Sequence, residues 1–446
     1  MHNALIPGLG GPMGAHATPR GLWFRPLPWA VLAATVSFLL LFLRHVPCIQ
    51  TDATNPINGY IRVCYNDIQT LFLAHGYGTG TWPIGGESMH FSPLTGVAVM
   101  LAILISGLFT TMPAEPELQD QINQSVGFFT VTAVILFVCF VASVVAVWRI
   151  SQAPGRNWTT FLWGASPVVL AAGLLDWSLL PIALTLVALA QFANRSLLGA
   201  GITIGLAASA GTMPIAVTLA VLVACGLRGG GGVALRFGLG AVGTFIAVHL
   251  PLGLTNFDAV YRYYHGQIHR ETTYGSVWYL LEQLGVTLRH AGSLLFVVTL
   301  FLLGCFVAWL FVTRGRPRVG SLVAVFVLAT TVLAPGFAPQ AALWVMVATL
   351  LARPFKLELT GVTVASVGYY LAVWGWIGGA LTSGRSGPFG LYWLAILLMA
   401  GAQVLVIAES LHDIASPRRD ALRSPDAPDP LGGVLNDDEV LAPLNI

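Results

Sequence analysis

The chain has 446 residues, of which 56% are hydrophobic and only 9% charged, with a mean hydropathy of +0.77. A soluble domain carries about 25% charged residues, so too few polar side chains are present to cover a water-facing surface and most of the surface must face lipid. The formal net charge of +2 excludes a strongly basic nucleic-acid binder.

Residues 1–28 form an N-terminal segment with Arg20 and Arg25 ahead of an apolar run over 29–46, long enough to span about 30 Å of hydrocarbon. No small-x-small cleavage pattern follows it, and the residues before Cys48 do not make a lipoprotein attachment site, so the run reads as a retained first helix. Apolar stretches then recur at 94–112, 127–148, 159–175, 178–193, 196–210, 213–227, 234–254, 292–313, 319–335, 341–352, 359–381 and 388–408. They predict an all-α polytopic protein of about 12–13 membrane-embedded helices in a membrane domain over 29–411. Connections at 48–93, 113–126 and 255–291 are long enough to fold by themselves, and the first and last are the large outer loops. The Gly-rich run at 226–233 lacks the lysine of a phosphate-binding loop and reads as a flexible connection. The tail, 412–446, is rich in Pro, Asp and Arg and is predicted to be disordered in the cytoplasm.

Orientation follows the basic residues of the short loops. Arg149 with Arg156, Arg195, Arg228 with Arg236, Arg314 with Arg316 and Arg318, Arg353 with Lys356, and Arg418 with Arg419 all fall on the cytoplasmic side, alternating without conflict from Arg149 onward. Asp176, the 255–291 loop, the turn at Pro339 and Gln340, and Arg385 are then outside, which also suits the acidic Glu115, Glu117 and Asp120. Between an internal N-terminus and an internal Arg149 the number of crossings must be even, yet three apolar stretches lie there. The 94–112 stretch is therefore expected to be re-entrant or to lie along the outer surface, leaving about twelve crossings.

Ionisable residues are nearly absent from the middles of these stretches. A proton- or ion-coupled transporter needs such groups near the bilayer midplane, whereas an enzyme acting on lipid head groups needs them at the membrane boundary, where they are found. The first outer loop holds Arg62, Cys64, Tyr65, Asn66 and Asp67, then Glu87 and His90. A single loop aspartate also fits a solvated turn. Cys48 and Cys64 can pair in an oxidising compartment or remain free thiols. Cys139, Cys225 and Cys305 fall within predicted helices as packing residues.

The order of several short motifs carries a resemblance. Tyr65, Asn66, Asp67 and Ile68 after the first helix, with His90, Phe91, Ser92, Pro93 and Leu94 opening the next segment, resemble the C-type fold of membrane glycosyltransferases. Leu175, Asp176 and Trp177 are similar to the acidic turn that many of them carry. Ser276, Val277, Trp278 and Tyr279, then Ala338, Pro339, Gln340 and Trp344, resemble an actinobacterial branch of the family-87 polyprenol-phosphate-mannose-dependent mannosyltransferases. The likeness runs from Trp29 to about Leu350. Ala338 stands where serine is expected and Ala341 where an aromatic is, and no large carbohydrate-binding domain follows the last apolar stretch, as it does in the long arabinosyltransferases.

The resemblance implies an inverting, metal-independent or weakly metal-assisted transfer, with no cofactor. The donor is a sugar, mannose first, on polyprenyl phosphate, and the acceptor a cell-envelope glycan or glycolipid at the outer face of the plasma membrane. Asp67 matches the general base. Asn66, His90 and Gln340 are candidate substrate contacts. Asp176 would orient the acceptor or hold a cation, or else cap the helix that follows. Tyr264, His265, His269 and Arg270 would receive the leaving phosphate, or else form an interfacial aromatic belt. Arabinofuranose transfer is the alternative within the same reaction class. A lipid-linked-sugar flippase, an uncoupled transporter, or a cell-envelope scaffold are readings from other classes.

Overall fold

A computed structural model describes residues 25–84, 89–110, 113, 115–151, 158–381, 390–417, 420, 422 and 429–437. Expectations for Arg20, Glu87, Arg156, Arg385, Arg418 and Arg419 fall outside the described residues. Every regular element among them is helical, as the apolar periodicity predicts.

Helix α1 (Pro26–Ile49) opens on a proline, which fits the first turn because no N–H is needed there. Two short outer elements follow, α2 (Asp67–Ala74) and α3 (Pro93–Gly107). Next comes α4 (Leu118–Ile150), begun by a capping box in which Glu117 N–H donates to the Asp120 carboxylate at 3.1 Å. The 159–175 stretch is two pieces, α5 (Thr159–Gly164) and α6 (Pro167–Ala172), because Pro167 lacks the N–H that a continuous helix requires. Then come α7 (Leu179–Ala193), α8 (Leu197–Ala210), α9 (Met213–Ala224) and α10 (Gly230–Thr255). The 255–291 loop folds as α11 (Phe257–Ile268) and α12 (Val277–Gln283). The chain ends with α13 (Ala291–Val312), α14 (Val319–Val332), α15 (Ala342–Ala352), α16 (Lys356–Ile377) and α17 (Gly390–Ala415).

Six stretches are long and apolar enough to cross a membrane, making this an α-helical membrane protein. One of them, Met213–Thr255, is 43 residues, about 65 Å if straight and twice the hydrocarbon thickness. It reverses instead. Where a flexible loop was expected at 226–233, a π turn over Cys225–Gly229 leads into Gly230 at φ +72°, and α10 begins there. Packing demands the reversal. Gly201 of α8 lies against Phe237 and Gly240, and Gly205 against Ala241 and Thr244, so α8 and α10 run parallel and α9 must return between them. A Cβ on Gly201 would sit 2.3 Å from the Phe237 carbonyl oxygen, so only glycine allows this approach.

Helix α7 leads from Asp176 to Arg195, and α15 from Gln340 to Arg353, which defines an Asp67 end and an arginine end of the bundle. Among the described residues twelve passes connect the two: α1, α4, the α5–α6 pair, α7, α8, α9, α10, α13, α14, α15, α16 and α17. Helix α3 is not one of them. It starts with Thr95 bonded to the Ala210 carbonyl at the close of α8 (2.7 Å), and the residues after it pack Thr110 over Gly127 in the third turn of α4. Both contacts are at the Asp67 end, in keeping with a stretch that does not cross. A Cys48–Cys64 disulfide (Cα–Cα 6.0 Å) ties the top of α1 to the loop entering α2. The other cysteines are within helices, and of these Cys305 is exposed rather than packed inside.

The tail departs from expectation. Disorder was predicted for 412–446, but α17 continues to Ala415 and the described tail residues dock on the arginine end. Leu431 and Leu435 are buried. The Asp429 carboxylate meets Arg228 at 3.0 Å and accepts the Val319 N–H, also at 3.0 Å, capping α14. Arg318 bonds Asp420 and lies 3.5 Å from Asp413, and Arg353 holds Asp413 at 2.8 Å. Composition misled here because the tail's acids read as solvated charges, whereas the helix tips present buried guanidinium groups that need them. Tail and tips together line a small, partly open pocket between Ile150, Arg318, Leu422 and Leu431.

The Arg228–Asp429 pair is about as buried as the core (side chains 1% and 4% exposed), whereas Arg195–Asp437 is open (61% and 54%). Asp429→Asn should therefore cost about 3–5 kcal/mol by leaving a buried cation underpaired, while Asp437→Asn should cost under about 1 kcal/mol. Thermal unfolding in detergent checks this; equal effects would mean that the tail is not docked.

Candidate active site

Three stretches far apart in sequence meet at Asp67. In the first, Asn66 adopts an extended backbone and its Oδ1 accepts the Gln69 N–H at 2.7 Å, starting α2 and placing Asp67 in its first turn. Asn66 is thus a buried cap rather than the substrate contact that was expected.

The second stretch is the turn after α6. Arg44 of α1 donates to the Leu170 and Ala171 carbonyls at 2.8 and 2.9 Å, satisfying the last acceptors of α6 and anchoring the turn. Further along the turn, the Leu175 carbonyl accepts the Asp67 N–H at 2.7 Å. The Arg44 guanidinium also lies 5.5 Å over the ring of Tyr370, whose hydroxyl donates to the Val63 carbonyl at 3.3 Å. One cation therefore braces both arms that carry the carboxylates. Asp176 follows in the turn, its two oxygens accepting the Ser178 N–H and hydroxyl, each at 2.9 Å. These bonds close the turn ahead of α7; they are not the helix cap that its position suggested.

The third stretch brings Gln340. Thr273 N–H and Ser276 Oγ both donate to the Pro335 carbonyl at 2.9 Å, and Phe337 N–H donates to Tyr274 at 3.3 Å. Gly275, at φ +85° and with a Cβ position 2.2 Å from the Phe337 oxygen, lets the two strands of loop touch. Tyr392 accepts the Gly275 N–H at 2.9 Å, and Tyr369 donates to the Phe337 carbonyl. So pinned, the 335–340 turn points Gln340 Nε2 at Asp67 Oδ2, 3.4 Å away. Tyr65 donates to the other oxygen at 2.8 Å, and its ring stacks on Tyr60 (centroids 4.6 Å) beside Trp374 (5.3 Å).

Among the described residues every hydrogen-bond donor to this acidic pair is neutral, and burial dominates its electrostatics. Burial pushes the Asp67 carboxyl above its usual range, against the opposing bonds from Tyr65 and Gln340. Asp176 is pushed from 3.8 up to about 6, first by burial; its Ser178 bonds oppose the shift and the charge of Asp67 adds to it. Two nearby carboxyls resist ionising together. The Tyr65 phenol is raised well above its usual range by burial and then by Asp67, so it stays a hydrogen-bond donor. Tyr274 is raised to about 12, by burial first, with Asp67 raising and Arg270 lowering it, which sets the Arg270 charge in the same electrostatic neighbourhood. A carboxyl tuned toward neutrality beside a second one can accept a proton from a bound hydroxyl. Asp67 and Asp176 are also the groups here that could hold a cation.

Four other expected contacts lie elsewhere. His90 stacks on His75 (3.6 Å), the residue ending α2, which is about 12 Å along the helix from Asp67. Tyr264 pairs with His249 of α10 at 2.6 Å, and His265 and His269 stack on each other (3.7 Å) on the exposed side of α11. They were grouped by sequence proximity to Arg270, but helix geometry turns them onto other faces. Tyr60, Tyr274, Trp374 and Arg44 join the site without having been expected from the sequence. For Arg44 a signal existed, since an arginine inside the last turns of an apolar run is rare without a function or a partner.

Between about pH 4 and 6 the folded protein holds a proton on Asp176 that the unfolded chain releases, so stability falls as pH rises through that window. Asp176→Asn should flatten this slope in thermal unfolding followed across those pH values in detergent. A slope unchanged from wild type would show that the carboxyl carries no burial cost.

Compared with known proteins, the chain matches no protein-family model and gives no significant match to any curated protein.

Proposed function

We propose that this chain is an integral membrane glycosyltransferase of the C-type fold that moves a sugar, mannose first, from polyprenyl phosphate to a glycan or glycolipid at the outer face of the plasma membrane. The observation supporting this reading is a convergence. The motifs at 65–68, 175–177 and 338–340, on which the family resemblance rests, are separated by more than a hundred residues and still meet at one carboxyl through the Leu175 and Gln340 contacts. A shared structural role alone would not require that carboxyl to be half-buried with neutral donors and tuned upward.

In the reaction, the acceptor oxygen bonds to the anomeric carbon as the bond from that carbon to the phosphate oxygen breaks, inverting the centre. The acceptor proton passes to Asp67, and the electron pair leaves with the polyprenyl phosphate. Gln340 and Tyr65 hold the Asp67 oxygens, and Asp176 orients the acceptor. Arg270, whose charge acts on Tyr274 beside the acidic pair, would meet the phosphate as its charge grows.

Asp67→Asn should lower turnover about 10²–10⁴-fold with membrane expression retained. Purified protein assayed with polyprenyl-phosphate mannose and polyprenyl-phosphate arabinofuranose measures the loss and names the sugar. Activity within about tenfold of wild type sinks the base assignment, and movement of lipid-linked sugar across vesicles without transfer would favour a flippase. Arg270→Ala should reduce kcat and weaken donor KM together, with Arg270→Lys restoring only part because the two-pronged contact is lost. Both parameters unchanged would place the phosphate elsewhere.

A further inference from the structure

Helix α11 carries a column of four rings on its exposed side that the reaction above does not use. Phe257, Tyr261, His265 and His269 follow one another at four-residue spacing, with successive centroids 6.4, 5.4 and 3.7 Å apart. Phe257 and Tyr261 are 67% and 54% exposed, and both histidines are exposed as well. The far side and one flank of the helix are engaged. Ala259 is buried, Tyr264 bonds His249 of α10 at 2.6 Å, and the Tyr263 hydroxyl is held by Ser92 at the start of α3. Held at Tyr263 on the far side and at Tyr264 on the flank, α11 cannot roll the rings inward.

What lies outside them follows from the neighbours. Along α10 the exposed residues Leu235, Leu239, Ile246, Leu250 and Leu254 form an apolar ridge that faces lipid, and Phe257 and Tyr261 prolong it. Helix α13, on the far side of the loop, is equally bare at Val297 and Phe301. The column thus leaves the hydrocarbon-facing surface at Phe257 and runs toward His269, changing from apolar to basic within one helix. Arg262, exposed and one turn from both Asp258 and His265, adds to the basic end. An aromatic start and a basic finish are the chemistry of a helix lying in the head-group layer, with rings at the acyl boundary and cations at lipid phosphates.

We propose that α11 is an interfacial helix that seats the bundle in the membrane head-group layer and selects anionic phospholipids through Arg262, His265 and His269. This does not depend on the sugar-transfer reading. It separates Arg270, which serves the acidic pair, from the ring column, which serves the bilayer.

The test uses the full chain in vesicles of phosphatidylcholine and phosphatidylglycerol, with a photoreactive benzoylphenylalanine replacing Phe257, Tyr261 or, as a lipid-facing control, Phe301. After illumination, mass spectrometry counts the lipid adducts. Lipid adducts are expected at all three positions. At 257 and 261 the phosphatidylglycerol share should exceed its bulk share by roughly fivefold, about the effect of one basic side chain near an anionic surface. That excess should vanish when Arg262→Gln, His265→Gln and His269→Gln are combined. Adducts at 301 without any at 257 or 261 would put the column in water and overturn the proposal. Cross-links to a second protein copy, or a phosphatidylglycerol share equal to bulk in the otherwise wild-type chain, would overturn it too.

Discussion

Hydrocarbon offers no hydrogen-bond partners, so a helix that ends inside or at the edge of a membrane must find acceptors and donors for its last backbone groups within the protein. That constraint shapes the Asp67 end. The broken α5–α6 pair stops short, and its Leu170 and Ala171 carbonyls go to Arg44, while the Leu175 carbonyl of the turn that follows takes the Asp67 amide. The loop preceding α12 ends in the same way, with Pro335 and Phe337 serving as partners for Thr273, Ser276 and Tyr274. The acidic pair is held in place largely by these backbone debts of neighbouring helices.

The two ends of the bundle handle charge in opposite ways. At the arginine end each buried carboxylate is matched with a guanidinium: Asp429 with Arg228, and Asp413 and Asp420 with Arg318. Such pairs hold structure and leave little chemistry available. At the Asp67 end the donors are Tyr65, Gln340 and Ser178, all neutral, so burial is only partly offset and the carboxyls are shifted upward. The same amino acid is a clamp at one end and a candidate base at the other because of what faces it.

Packing between helices relies on small residues and occasional polar pairs, as expected where lipid competes with protein for apolar contact. Gly201 and Gly205 let α8 and α10 approach, while Thr331 with Gln403 (2.6 Å) and Trp163 with Ser143 (2.8 Å) lock neighbouring passes. These contacts set the rotation of each helix, and so decide which loop residues end up facing each other.

The helical class, the apolar segments and the gathering of the arginines at one end of the bundle were legible in the sequence, because each depends on local composition and length. Asp67, Asp176 and Gln340 were legible as candidates because they fall in the short ordered motifs, and Arg270 because it is a cation in the second outer loop. The tertiary structure decided everything that depends on helix rotation and on meetings across a hundred residues or more. It turned His90, Tyr264, His265 and His269 away from Asp67, made Asn66 a cap, brought in Arg44, Tyr60, Tyr274 and Trp374, and folded an acidic tail onto buried arginines. A linear pattern records which side chains a segment carries, but the partner that neutralises, desolvates or orients each of them is chosen only when the helices pack.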